Sequence, residues 1–116
     1  MFLLLNHQRL DIYKAVKEFV LECYKLTKLF PSDERFSLTQ QIRRAAISVH
    51  LNIAEGCSRK SVAERKRYFE VSRGSIIEVD AALDIAYALG YISQHDLIQL
   101  ESYTIRCFSM ICKMMK

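Results

Sequence analysis

Three observations predict an all-α fold: helical periodicity over nearly the whole chain, almost no chain breakers, and interruptions that divide the pattern into four. The expected architecture is an antiparallel up-down four-helix bundle, one domain over residues 1–116, assembled as an oligomer. Of the 116 residues, 51% are hydrophobic and 26% charged, with three glycines and one proline. That is enough apolar surface for one core, and too much for a disordered chain. A sandwich or barrel would need a breaker every ten residues or so, which this chain lacks.

The first helix is expected near residues 9–30. Ile12, Val16, Phe19, Cys23, Leu26 and Phe30 alternate steps of four and three, the spacing of a packed helical seam. Pro31 stops it, because the residue before a proline is pushed out of helical geometry.

The second is expected near 38–55. Ser37 and Gln40 have the spacing of a capping box. Leu38, Ile42, Ala45, Val49 and Ile53 form the core stripe, and Gly56 reads as the left-handed stop. The third, near 62–89, opens on a second capping box, Ser61 with Glu64. It buries Phe69, Ser72, Ile76, Val79, Leu83 and Ala86 and ends at Gly90. Ser93 caps the fourth, near 94–114, with Leu97, Leu100, Thr104, Phe108 and Ile111 facing inward. Each helix is about 20 residues, or roughly 30 Å. Short connections between such helices make neighbours antiparallel.

Helix 2 carries a second apolar stripe, Ile47, Leu51 and Ala54, opposite the first. A bundle helix in a monomer needs one apolar face, so this stripe reads as an oligomer interface. Its alternative is scattered surface apolars, which are common. In helix 3, Ser72, Gly74 and Ser75 are small. A mid-helix glycine costs ~1 kcal/mol against alanine; close approach of another backbone would offset that, and local flexibility is the other reading.

Charge is concentrated. The net charge is +4, but residues 43–73 carry eight Lys/Arg against three Glu, while residues 74–116 are net −2. Arg59, Lys60, Arg65, Lys66 and Arg67 crowd the start of helix 3, where the macrodipole already disfavours cations and favours phosphate. Together with Arg43 and Arg73 they form a candidate nucleic-acid surface. Arg65, Lys66 and Arg67 fan out by about 100° each, so pairing with acidic residues of the chain or of a neighbour is the competing reading. No aromatic interleaving supports single-strand stacking. Binding would rest on phosphate contacts and depend on salt.

Other chemistries find little support. Cys23, Cys57, Cys107 and Cys112 form no C-x-x-C pair and have no His at zinc spacing, so no metal or cofactor is expected and buried thiols are read as core filler. No phosphate loop, nucleophile elbow or zinc-protease motif is present. Arg43, Arg44 and His50 fit a loose Arg–His spacing that could serve RNA cleavage, but such pairs arise often by chance. A non-enzyme is expected. No apolar run approaches the ~18 residues of a membrane span, and Phe2–Leu5 lacks the basic lead of a signal peptide. The expected location is cytoplasmic, without a membrane partner.

The stretch from Gln41 to Glu55 and Gly56, QIRRAAISVHLNIAEG, resembles the signature of the family named for intervening sequences of 23S ribosomal RNA genes. Phe30-Pro31, Glu34, Phe36, Leu38, Arg73-Gly74-Ser75, Glu78 and Gly90-Tyr91-Ile92 agree with it, over about residues 8–114. Ser72 stands where the family more often has alanine, and His50 is outside the motif. The resemblance implies a four-helix bundle assembled as a homopentamer. It extends to the basic accessory protein of diversity-generating retroelements, which implies nucleic acid and a reverse transcriptase as partners. Arg44, Ser48, Asn52, Glu55 and Gly56 read as structural: a polar row between the two apolar stripes, closed by the glycine. Arg43 is placed nearer His50, free to meet phosphate. The competing class is a protein-interaction scaffold whose charges serve assembly alone.

Overall fold

The computed structural model describes residues 2–116, and the described residues contain four α-helices and no strand. They are α1 (Asp11–Thr27), α2 (Leu38–Ser58), α3 (Val62–Ala88) and α4 (Gln94–Met114), with short 3₁₀ turns at Asn6–Arg9 and Ser32–Glu34. The α1 seam is buried as its spacing requires, from Ile12 through Phe19 and Cys23 to Phe30. The helix nonetheless begins later and ends earlier than the expected 9–30, and it stops before the last residue of its apolar pattern. The Thr27 hydroxyl donates back to the carbonyls of Cys23 (2.8 Å) and Tyr24 (3.1 Å). The chain then tightens through Leu29 N–H to Leu26 O and Phe30 N–H to Thr27 O, which carries Phe30 into the core beyond the helix.

The α2–α3 pair is the most closely joined. Gly56 meets Phe69, Ser72 Oγ donates to Val49 O at 2.8 Å, Ser75 Oγ to Ser48 Oγ at 2.9 Å, and Gln41 Nε2 to Glu78 Oε1 at 2.8 Å. Positions ascend in α2 as they descend in α3, so these two helices run in opposite directions. Helix α1 packs on α2 and α4, and α3 on α4. Ile42, Val49, Ile53, Ile76, Val79, Leu100, Cys107 and Ile111 fill the common core.

Four sequence expectations need correction. Gly56 is no stop: α2 runs on to Ser58, and Gly90 is the glycine with positive φ, at 81°. At Gly90 the chain closes a Schellman motif, with Tyr91 N–H on Ala86 O and Gly90 N–H on Tyr87 O. Ser37 makes no side-chain cap; Leu38 N–H instead meets the Glu34 carboxylate at 3.5 Å. At Ser61 only half of the capping box forms, Glu64 N–H to Ser61 Oγ at 3.0 Å. Ser93 makes the full box with Asp96, and the bonds from Ser93 hold the Asp96 carboxyl below its usual range.

The fourth correction lies in α4, where Phe108 is exposed and Cys107 takes the core position. Two successive steps of four rotate the face by roughly 40° and then 80°. Thr104 is therefore half-buried and Phe108 is out, while Leu100, Cys107 and Ile111 stay aligned.

The loop after α1 and the turn after α3 meet at one end of the molecule. Tyr91 lies against Phe30, ring centroids 5.6 Å apart, and its hydroxyl donates to Glu34 Oε2 at 2.8 Å. That bond to a carboxylate raises the phenol pKa.

Candidate nucleic-acid interface

The cations expected to bind phosphate divide into two groups. Arg43 belongs to the first, and its expected freedom is corrected. Its Nε donates to Thr27 Oγ1 at 2.8 Å and Nη2 to Tyr24 O at 3.4 Å. The guanidinium lies 4.7 Å from the centre of the Tyr24 ring. Position 43 shares the α1-facing side of α2 with buried Thr39 and Ala46, so its stem is drawn against α1. Arg59, at the end of α2, is also engaged. Its Nη2 donates to Glu55 Oε2 (3.0 Å) and to the Tyr68 hydroxyl (2.9 Å), over the Tyr68 ring at 4.9 Å. The Tyr68 oxygen is the largest influence raising the Arg59 pKa.

The second group is unencumbered. Among the described residues the ion pairs are Lys25–Glu22 and Arg59–Glu55, so Lys60, Arg65, Lys66 and Arg67 stand exposed without partners. Arg73 is half-buried about two turns beyond Lys66 along α3. Arg65 and Lys66 line a pocket of about 310 Å³ with Lys116 of α4's end, over a floor of Val62, Phe69 and Met114. Lys116 was not foreseen from the sequence. Its signal is topological: the end of α4 returns beside the start of α3.

The motif residues serve the α2–α3 seam more than a surface. Ser48 bonds Ser75 across the seam, and Asn52 Nδ2 donates to Ser48 O (2.8 Å) and Oγ (3.1 Å) within α2. Glu55 pairs with Arg59 four residues on, not across a helix contact. Arg44 is exposed and takes no part. Ile47 and Leu51 are 37% and 55% exposed, and Ala54 is half-buried.

His50 and Arg43 do not combine into an open acid–base site. The His50 ring meets Tyr13 edge-on at 4.5 Å, and Tyr13 stacks on His7 at 5.2 Å. Burial, then Lys17 and His7, lowers the His50 pKa. Its buried Nδ1 has no hydrogen-bond partner, while two Arg43 donors are committed to α1. Burial also pushes the Cys23 and Cys107 thiols up to about 12, which suits their place in the core.

Fold and surface together define a four-helix, all-α protein with a concentrated cationic edge. The chain belongs to the 23S rRNA-intervening sequence protein family, whose model matches residues 8–113. It is similar in structure to a protein with unknown function from the S23 ribosomal protein family of Bacteroides thetaiotaomicron. The TM-score is 0.82 at 18% identity, over 90% of this chain and 98% of that one. At that identity the likeness speaks for the fold. No curated protein matches the chain. No helix among the described residues is long and apolar enough to cross a membrane.

Proposed function

We propose that this chain is a non-enzymatic accessory or assembly protein of the cytoplasm. In this reading it is an up-down bundle that forms a homo-oligomer and binds structured RNA or DNA through its α2–α3 edge. The observation that carries the reading is the group of exposed, unpaired cations Lys60, Arg65, Lys66 and Arg67. A positive helix start crowded with unpaired cations is unfavourable for folding and favourable for phosphate. Arg59 is tied to Glu55 and Tyr68 beside these cations, and Arg43 is held against α1 roughly 24 Å away along α2, so neither reaches for a ligand. The exposed Ile47 and Leu51 support a contact between copies; a pentamer, like a reverse-transcriptase partner, is what the family resemblance implies.

The test is fluorescence anisotropy of a labelled structured RNA and a matched DNA duplex across ~50 to 200 mM salt. The expected result is micromolar or tighter binding that weakens steeply with salt and is lost in Lys60→Glu with Arg65→Glu. No binding at the lowest salt, or binding that ignores this double variant, overturns the reading. If the variant instead dissolves the oligomer, the cations serve assembly and the scaffold reading takes its place.

A further inference from the structure

The cationic edge is hollow at one point, and the hollow is not lined by charge alone. Val62, Arg65, Lys66 and Phe69 recur at helical spacing and share one face of α3. The end of α4 returns along that face, and Met114 and Lys116 complete a pocket of about 310 Å³. Half of its lining is apolar: Val62, 70% exposed, the buried Phe69 and the half-buried Met114. The other half is cationic, and the side chains of Arg65, Lys66 and Lys116 have no ion-pair or hydrogen-bond partner among the described residues. At about 100° per residue, Glu64 and Arg67 fall on the far side of α3, and no acidic side chain lines the pocket.

Size and lining together narrow the occupant. A volume of about 310 Å³ lies at the lower end of small-molecule sites, room for a single nucleotide and too little for a duplex. A phosphate alone would meet the cations and leave Val62 and Met114 in water. An apolar group alone would cover them and take solvent from unpaired charges. The lining asks for an anion joined directly to a weakly polar body. In a perfect duplex the bases are stacked inside and the phosphates stand alone on the outside, whereas an unpaired nucleotide can be splayed out, bringing its base with its phosphate. Extrusion costs least where the base already lacks a pair.

We propose that this pocket takes one unpaired nucleotide of the bound nucleic acid. Its base lies against Val62 and Met114 over Phe69, and its phosphate sits among Arg65, Lys66 and Lys116. The inference rests on the nucleic-acid reading above and adds a preference to it, for a bulge or loose end over a perfect duplex. The nearest ring outside the pocket, Tyr68, is already covered by the Arg59 guanidinium. The base is therefore held by burial against aliphatic groups, which tolerates any of the four bases.

The experiment uses the whole chain and three labelled RNA hairpins of one sequence: fully paired, with a single bulged nucleotide, and with an abasic residue at the bulge. Anisotropy is read at ~100 mM salt. The bulged hairpin is expected to bind about tenfold more tightly than the paired or the abasic one; the abasic hairpin keeps the bend and the phosphate and lacks only the base. Val62→Thr with Met114→Gln changes polarity without changing charge, and should bring the preference within about twofold. Arg67→Ala should weaken all three hairpins alike. Circular dichroism checks that each variant folds, and the comparison of bulged with abasic RNA on the parent chain needs no variant. Equal affinity for the three hairpins, or a preference that survives Val62→Thr with Met114→Gln, overturns the pocket and leaves the nucleic-acid reading standing. Failure of all three to bind at low salt ends both.

Discussion

Gly56 and Phe69 approach so closely that a Cβ on the glycine would stand 2.6 Å from the ring carbon Cε1, with Tyr68 Cβ at 3.0 Å. Phe69 is buried, and its ring has no room to swing away. Glycine is therefore needed at position 56 for packing rather than for backbone freedom. Gly56→Ala gains about 1 kcal/mol of helix propensity and loses about 1–3 kcal/mol to overpacking. The expected net is a destabilisation, read as a lower urea midpoint with an unchanged slope. A midpoint at or above that of the parent would show that the α2–α3 seam can open there.

How much of this was legible in the sequence follows from what each signal depends on. The α1 seam, the Gly90 stop and the Ser93 cap rest on local periodicity and local backbone needs, and all appear where their residues stand. Gly56 was misread because a glycine near a helix end has two uses, and only the partner helix, bringing Phe69 against it, decides between them. Phe108 was misplaced because repeated steps of four drift off the face. Arg43 and Arg59 looked like free cations, since nothing local announces that Thr27, Tyr24 and Tyr68 come to meet them. The carboxylates Asp80, Asp84 and Glu101 along the α3–α4 groove showed only as a charge bias of the C-terminal half. Which faces of α3 and α4 oppose each other is a tertiary fact.

The bond from Tyr91 to Glu34 joins the loop after α1 to the loop after α3, and Glu34 also reaches Leu38 N–H at the start of α2. Tyr91→Phe removes the hydroxyl and keeps the ring packed on Phe30. For a half-exposed bond to a carboxylate the expected loss is about 1 kcal/mol, measured by chemical denaturation. Glu34→Gln should cost a similar amount, and the double variant no more than the larger single loss, because both remove one interaction.

Thiol chemistry should separate the four cysteines. Cys23 and Cys107 are fully buried with thiols pushed up to about 12, while Cys57 and Cys112 are half-buried. The thiolate is the reactive form. Iodoacetamide at neutral pH should therefore label Cys112 in the folded protein, label Cys57 more slowly because burial pushes its thiol up too, and reach Cys23 and Cys107 only after denaturation, as resolved by peptide mass spectrometry. Early labelling of Cys107 would mean that α4 separates from α1 on the timescale of the reaction.

His50 gives the molecule a pH dependence of known sign. Its pKa is lowered on folding, chiefly by burial and then by Lys17 and His7, whereas in the unfolded chain a histidine titrates at about 6.5. The folded chain then binds fewer protons than the unfolded one as pH falls through that range. The contribution is full above it and declines below. Stability measured from about pH 7.5 down to 5.5 should fall, and His50→Gln should flatten the decline. An unchanged slope in the variant would place the lost stability at other groups.

Gly74 separates the needs of one chain from those of an assembly. It lies exposed in mid-helix, and nothing in the chain comes within 4 Å of a Cβ built there. In an isolated chain Gly74→Ala should stabilise by about 0.5–1 kcal/mol, through helix propensity and a less flexible unfolded state. If the position is glycine because a neighbouring copy's backbone rests on it, the same methyl group would obstruct that contact. The expected pattern is a higher melting temperature at low protein concentration together with a shift toward monomer in sedimentation velocity. Stabilisation with the oligomer intact would place the contact between copies elsewhere, with the outer stripe of α2 at Ile47 and Leu51 as the first place to test.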